Sequence, residues 1–467
     1  MKPIDYKNID RRSFLKVAGA GAIASTAIIA GCDNKQSSRA TQFSYQTGEV
    51  PTDKMTYRTQ PRTGDRVSLL GYGCMRWPMR PAASGNGQEI DQEAVNQLVD
   101  YAIEHGVNYF DTAPVYGMGQ SETATGIALA RHPRDKWFIA TKMSPHRNIP
   151  EGESLRDASL KMYRNSMKQL QVDYIDYYLL HSVGMGGLQP LRDRFYDSGM
   201  LDFLLKEREQ GRIRNLGFSF HGDIEVFDYL LTQDVGWDFV QVQLNYADWR
   251  NADGVMNFNA EYLYNELEKR DIPAVVMEPL LGGRLARLSA VALELLKKFH
   301  PDDNPAKWAF RFAGSQPGVL TILSGMTYME HLQDNIRTYS PLETVTEDEF
   351  ATLQQVAEII LKSEYISCTA CQYCMPCPYG LNIPEIFSHY NRCISDGNMP
   401  KDAGDPHYRK ARQAFLVGYD RSVPRLRQAS HCTGCEQCNP KCTQSINISG
   451  EMARIDKFVE ELKTQTV

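Results

Sequence analysis

The chain has 467 residues, 42% of them hydrophobic, with 51 basic and 57 acidic side chains giving a net charge of −6. Charges of both signs are interspersed, which argues against a nucleic-acid partner, and the apolar content is too high for a disordered chain. The length accommodates up to three average domains, each large enough to bury a core.

In chain order the first signal is DRRSFLK at residues 10–16, followed by a Gly- and Ala-rich, mildly apolar run from Val17 to Ala30. This matches the twin-arginine export pattern, and a run of about 15 residues falls short of the ~20 a membrane-spanning helix needs. The run ends in IIAGC, which resembles a lipobox and would make Cys32 a lipidated first residue; the competing cut follows Ala27. Residues 1–32 are therefore expected to be a signal and the polar stretch 33–55 a flexible tether. The expected location is periplasmic, with a lipid anchor as the contact with the membrane.

Eight short apolar, β-branched or aromatic runs follow: VSLLGYG (67–73), VNYF (107–110), WFIAT (137–141), YIDYYLL (174–180), IRNLGFS (213–219), FVQVQL (239–244), IPAVVM (272–277) and VLTILS (319–324). Between them lie stretches of helical spacing, such as Val95, Leu98, Val99, Ala102 and Ile103, stopping at Gly106. Strand then helix, eight times over, predicts a (β/α)₈ TIM barrel of α/β class over residues 56–340. Asp111, Lys142 and His181 fall at or just past strand ends, with Tyr116 in the following loop, where such barrels place their chemistry. A lone Tyr, Lys or His is more often structural than catalytic, but four in order at strand ends reverse that expectation. A tyrosine titrating near 10 donates a proton poorly near neutrality unless an ammonium such as Lys142 lowers it. Asp111 would balance that ammonium and His181 would aim a carbonyl oxygen at Tyr116, a set suited to carbonyl reduction.

The motifs FDTAPVYGMGQSE, IATK, DYYLLH, GFSFH, VQLNY and MEPLLGG, in that order, resemble the aldo-keto reductase family. That resemblance implies a catalytic tetrad of Asp111, Tyr116, Lys142 and His181 and reversible hydride transfer between a nicotinamide cofactor and a carbonyl or alcohol. It also implies cofactor contacts at Ser219 and Gln243, at Glu278, Pro279 and Leu280, and, through SGMTYMEHLQDN, at Gly325, Thr327, His331, Asp334 and Asn335. Members preferring NADP carry Arg or Lys where this chain has Thr327 and Tyr328, so NADP against NAD is open. Trp77, Arg76, Trp249 and Arg250 are candidates for the walls of a substrate pocket, or for ordinary loop packing.

After the barrel, Thr346 and Glu349 form a capping box ahead of a stripe of Phe350, Leu353, Val356 and Ile360. Eight of the 11 cysteines then fall into two combs, Cys368, Cys371, Cys374 and Cys377, and Cys432, Cys435, Cys438 and Cys442. The second has bacterial ferredoxin spacing, with Thr443 in place of the usual proline. Zinc sites and disulfides are the alternatives, but zinc ribbons use paired C-x-x-C motifs and adjacent repeats would close strained loops. Cys74 and Cys393 read as buried thiols. The tail, with CTACQYCMPCPYGLNIP, resembles an iron-sulfur subgroup of the same family, implying a small, mainly helical, ferredoxin-like domain at 341–467 with two 4Fe-4S clusters. By resemblance to two-cluster ferredoxins, Cys368, Cys371 and Cys374 pair with Cys442, and Cys432, Cys435 and Cys438 with Cys377.

Arginines among aromatic residues at 408–428 offer either a docking face for an acidic electron-transfer partner or a solvated helix face, and Ile455, Phe458, Val459 and Leu462 make a last packing stripe. The reading is an exported oxidoreductase acting on a small carbonyl or alcohol. Its rivals are an electron-transfer protein whose barrel docks a partner, and a non-catalytic ligand-binding barrel.

Overall fold

The computed structural model describes residues 45–464 apart from 84, 86, 146–148, 150, 151 and 251–258. The signal at 1–32, with Cys32, and the first part of the tether lie outside the described residues. Each of the eight apolar runs contributes a barrel strand: Leu70–Gly73, Tyr109–Asp111, Phe138–Met143, Ile175–Val183, Ile213–Phe220, Phe239–Gln243, Ala274–Met277 and Val319–Ser324. They close in chain order, every neighbouring pair parallel. Strands covered on both faces need apolar residues in succession, which is why these runs are continuous rather than alternating.

The first run is not one strand. Arg66–Ser68 pairs antiparallel with Tyr57–Thr59, and only Leu70–Gly73 enters the barrel. The Ser68 hydroxyl donates to the Leu70 carbonyl across the break, and Val67 joins the interior cluster of Tyr109, Tyr177 and Phe239, closing the end of the barrel opposite the catalytic mouth. Inside, the Tyr177 ring meets those of Tyr109 and Phe239 edge-on at 4.9 and 5.2 Å.

The helix Gln92–Glu104 is capped by Asp91, whose carboxylate accepts from the Ala94 N–H, and buries Val95, Leu98, Val99 and Ala102. It ends at Gly106, whose φ of +88° suits glycine and whose missing Cβ leaves room for the Tyr57 hydroxyl.

The described end of the expected tether is bonded to the barrel. Gln46 donates its backbone N–H to Asp334 and its side-chain amide to the Asp334 carbonyl and the Thr338 hydroxyl, and Met55 sits in the core. These bonds satisfy a buried carboxylate, a demand that local polarity at 45–55 does not reveal.

The capping box of Thr346 and Glu349 forms, and the helix Glu347–Leu361 turns Leu353, Val356 and Ile360 into the barrel core. A second core starts at Ile366, built from Ile386, Phe387 and Tyr390 on the helix Ile383–Ser395, Phe415 and Tyr419 on Tyr408–Ser422, and Met452, Ile455 and Val459 on Ile448–Thr464. Among the described residues no helix is long and apolar enough to cross a membrane.

Candidate active site

The four expected catalytic residues come together at the C-terminal mouth of the barrel. Asp111 ends its strand, Lys142 and His181 lie on the next two, and Asp111, Lys142 and His181 are buried. The Lys142 ammonium donates to Asp111 Oδ1 at 2.5 Å and to the Thr112 carbonyl at 2.7 Å. It also sits 4.9 Å from the centre of the Tyr116 ring, which meets the His181 ring edge-on at 6.0 Å. Burial pushes the Asp111 carboxyl upward, opposed by Lys142.

Tyr116 departs from expectation. Its hydroxyl is held well above the ordinary phenol range, first by burial and then by Tyr373 and Asp111. Lys142 faces the ring and is neutralised by Asp111, so its charge does not dominate at the hydroxyl.

Three residues not foreseen in the sequence join the cluster. The Ser144 hydroxyl meets His181 Nδ1. Gln241 Nε2 lies 3.4 Å from Asp111 Oδ2, and the Tyr373 hydroxyl is 3.3 Å from His181 Nε2. Ser144 and Gln241 were legible in principle, since each lies two residues from an identified one and so on the same face. Tyr373 was not, because it comes from the first cysteine comb.

The expected cofactor residues line the rim of the last four strands. The Ser219 hydroxyl accepts from the Ser182 N–H at 3.0 Å, and Gln243 Nε2 donates to Asp248 at 2.6 Å. Glu278 leaves its strand at φ +54° and accepts from the Gly282 N–H at 2.7 Å, closing a turn over Pro279 and Leu280. Gly325 and Thr327 follow the eighth strand, where the Thr327 hydroxyl donates to the Arg76 carbonyl at 2.9 Å. On the helix Met329–Thr338, Asn335 donates to Ser324 at 3.0 Å, while Asp334 accepts from Gln46 at 2.7 Å and Asn304 at 2.9 Å. His331 stands against Tyr45 and Tyr328. A hydroxyl and a carboxamide at neighbouring strand ends, Ser219 and Gln243, fit the amide of a nicotinamide. Trp77 and Trp249 are core residues, and Arg250 pairs with Glu261. Arg76 donates to the Thr369 carbonyl at 2.6 Å.

Cys368, Cys371, Cys374 and Cys442 line one cavity with about 320 Å³ of atom-free space, counting its open mouth, walled by Ile383, Phe387 and Ile446. Cys438 lies within electrostatic reach of Cys432, Cys435 and Cys377, nearer the surface. Burial pushes the Cys368 thiol up to about 12, with the Ala370 N–H lowering it and Cys371 and Cys442 raising it. An all-sulfur, partly desolvated donor set of this kind suits a group that brings its own positive charge. Among the described residues no group of three His, Cys, Asp or Glu side chains is arranged to hold a single metal ion. Cys74 and Cys393 are buried and free.

Residues 69–358 match the model of the Aldo/keto reductase family, which stops short of the first cysteine comb. L-galactose dehydrogenase of Arabidopsis thaliana is 25% identical over 323 residues, covering 66% of this chain and 95% of the relative. Among solved structures, AKR11C1 from Bacillus halodurans in its holo form is similar at 22% identity and a TM-score of 0.51, covering 65% of this chain and 96% of that one. An aldo-keto reductase from Klebsiella pneumoniae in complex with NADPH is similar at 23% identity and a TM-score of 0.50, with the same two coverages. The structural likenesses establish the barrel fold.

Proposed function

The chain belongs to the aldo/keto reductase family, an oxidoreductase family, and we propose that it reduces a small carbonyl compound to the alcohol. The observation that carries this reading is the buried cluster of Tyr116, Lys142, Asp111 and His181 at the barrel mouth. A nicotinamide, when bound, supplies the hydride. NADP is the proposed form, by likeness to the NADPH-bound relative, with NAD as the alternative because Thr327 and Tyr328 stand in for the usual cations.

Ser219 and Gln243 orient the nicotinamide amide. In the tautomer this mechanism uses, Nδ1 accepts from Ser144 and His181 carries its proton on Nε2, where it hydrogen-bonds the carbonyl oxygen without transferring that proton. Tyr116 gives its hydroxyl proton to the same oxygen as negative charge develops there. The Lys142–Asp111 pair holds the ring from beneath, and the ammonium on the ring face supports the phenolate that remains. A phenol held above its ordinary range keeps its proton at neutral pH, so Tyr116 enters the reaction protonated. NADPH consumption over a panel of carbonyls tests this, and Tyr116→Phe is expected to lower kcat by about 10²–10⁴-fold with the fold retained. Undiminished turnover in that variant sinks the reading.

The finer reading adds two 4Fe-4S clusters, on Cys368, Cys371, Cys374 and Cys442 and on Cys432, Cys435, Cys438 and Cys377. What supports it is that the first four sulfurs share one cavity and the second four interact electrostatically. Such clusters pass one electron at a time. Anaerobic titration with NADPH while following the broad cluster absorption tests whether tail and barrel exchange electrons, and the solvent-facing arginines of Tyr408–Ser422 are the proposed face for an electron-transfer partner. Twin-arginine export and lipidation at Cys32 complete the proposal, on the strength of the sequence motifs.

A further inference from the structure

The segment from Ile366 to Cys374 does more than present sulfurs to the cavity, because it lies across the mouth of the barrel. Arg76 clamps the Thr369 carbonyl at 2.6 Å. A Cβ on Gly282 would collide with the Thr369 backbone, so the segment rests directly on the turn that follows Glu278. Gln444, two residues beyond Cys442, brings its amide to within 3.4 Å of the Gln243 Oε1. Left-handed backbone at Ala370 and Gln372 tightens the loop between cysteines and aims the intervening Tyr373 inward. Tyr373 is 9% exposed, with its hydroxyl 3.3 Å from His181 Nε2 and within electrostatic reach of Tyr116.

The Tyr373 oxygen thus contacts one of the two groups that carbonyl reduction needs for the substrate oxygen, His181, and stands within electrostatic reach of the other, Tyr116. A phenol oxygen set against that imidazole nitrogen, beside a second phenol, resembles the product alcohol lying in its own site. We propose that Tyr373 is an intramolecular occupant of the carbonyl-oxygen position, and that the segment 366–374 is a lid which must leave the mouth before a carbonyl can bind. The inference rests on the reductase reading given above. An occupant tethered in the same chain competes at a fixed effective concentration, so it raises the apparent KM without changing the chemical step once displaced. Because Tyr373 lies between Cys371 and Cys374, whatever draws those sulfurs together also sets how firmly the lid is held.

The test uses the full chain, purified anaerobically, with Tyr373→Phe and, in case ring packing matters, Tyr373→Ala, each checked by its unfolding midpoint. Both are expected to lower KM for a carbonyl about tenfold, the worth of one hydrogen bond to the occupied site, with kcat unchanged or higher. In the wild type, adding NADP⁺ together with acetate as a carboxylate probe of the oxygen site is expected to speed amide hydrogen exchange in 366–377. If Tyr373→Phe lowers kcat instead, Tyr373 takes part in proton transfer and the lid proposal is overturned. If neither KM nor exchange moves, Tyr373 is mere packing and the proposal is equally overturned. Undiminished turnover in Tyr116→Phe overturns the reductase reading and the lid with it, whereas lost turnover in Tyr116→Phe with neither KM nor exchange moved overturns the lid alone.

Discussion

Ser144 orients the His181 ring, because its hydroxyl meets Nδ1 and leaves Nε2 turned towards Tyr373. Ser144→Ala is expected to raise KM and lower kcat/KM by about tenfold, the loss of one net hydrogen bond, with little change in the unfolding midpoint. A second residue-scale prediction concerns Glu122, buried at the start of its helix and accepting from the Thr141 hydroxyl at 2.6 Å. Burial pushes its carboxyl up to about 7, with Thr141, Ser166 and Lys142 opposing. Its folded value exceeds its unfolded one, so its contribution to stability is complete below about pH 4.5 and is lost as pH rises through 7. Glu122→Gln should flatten the fall of unfolding free energy between those pH values by about 3 kcal/mol at most, read from denaturant melts across the range. At this scale strand ends and motif order in the sequence pointed to the four clustered residues, while Ser144 was legible only by its spacing from Lys142, its contact with His181 on the neighbouring strand being hidden.

Elements are joined by a buried carboxylate that serves twice. Glu349 closes the capping box at the start of Glu347–Leu361 and also pairs with Arg311 at 2.8 Å and His300 at 2.8 Å on the barrel side. Arg311 further donates to the Glu343 and Thr344 carbonyls, fixing the connection into the helix. Glu349→Ala removes the half of the box that satisfies the Thr346 N–H and leaves a buried guanidinium without its carboxylate, so it is expected to cost about 3–5 kcal/mol, measured by denaturant unfolding. The capping box was legible because its spacing is local. The ion pair was not, because Arg311 lies on another helix and its own pattern reads only as an apolar face. The split of residues 67–73 into a hairpin strand and a barrel strand was hidden for the opposite reason, both pieces having the same apolar character.

For the whole molecule the decisive contact is between tail and barrel. Gly282→Ala is expected to part them, since the new methyl meets the Thr369 backbone and the residue sits at φ +66°, a conformation costing a non-glycine residue about 1 kcal/mol. Limited proteolysis should then cut faster between Leu361 and Cys368 while the barrel stays intact; unchanged cleavage would mean the tail is held elsewhere. Periodicity exposed the eight strands and spacing exposed the combs, each a pattern within a short window. That Tyr373 reaches His181, 192 positions away, leaves no trace in any window of that kind.

This arrangement also puts a clock on biogenesis. The barrel strands are synthesised first and the last cavity-lining sulfur, Cys442, much later, so at translation rates of about 5–20 residues per second the nascent barrel stays uncapped for on the order of ten seconds. Whatever must be seated beneath the segment 366–374 can load during that interval without opening anything, whereas afterwards it must wait for the finished chain to breathe.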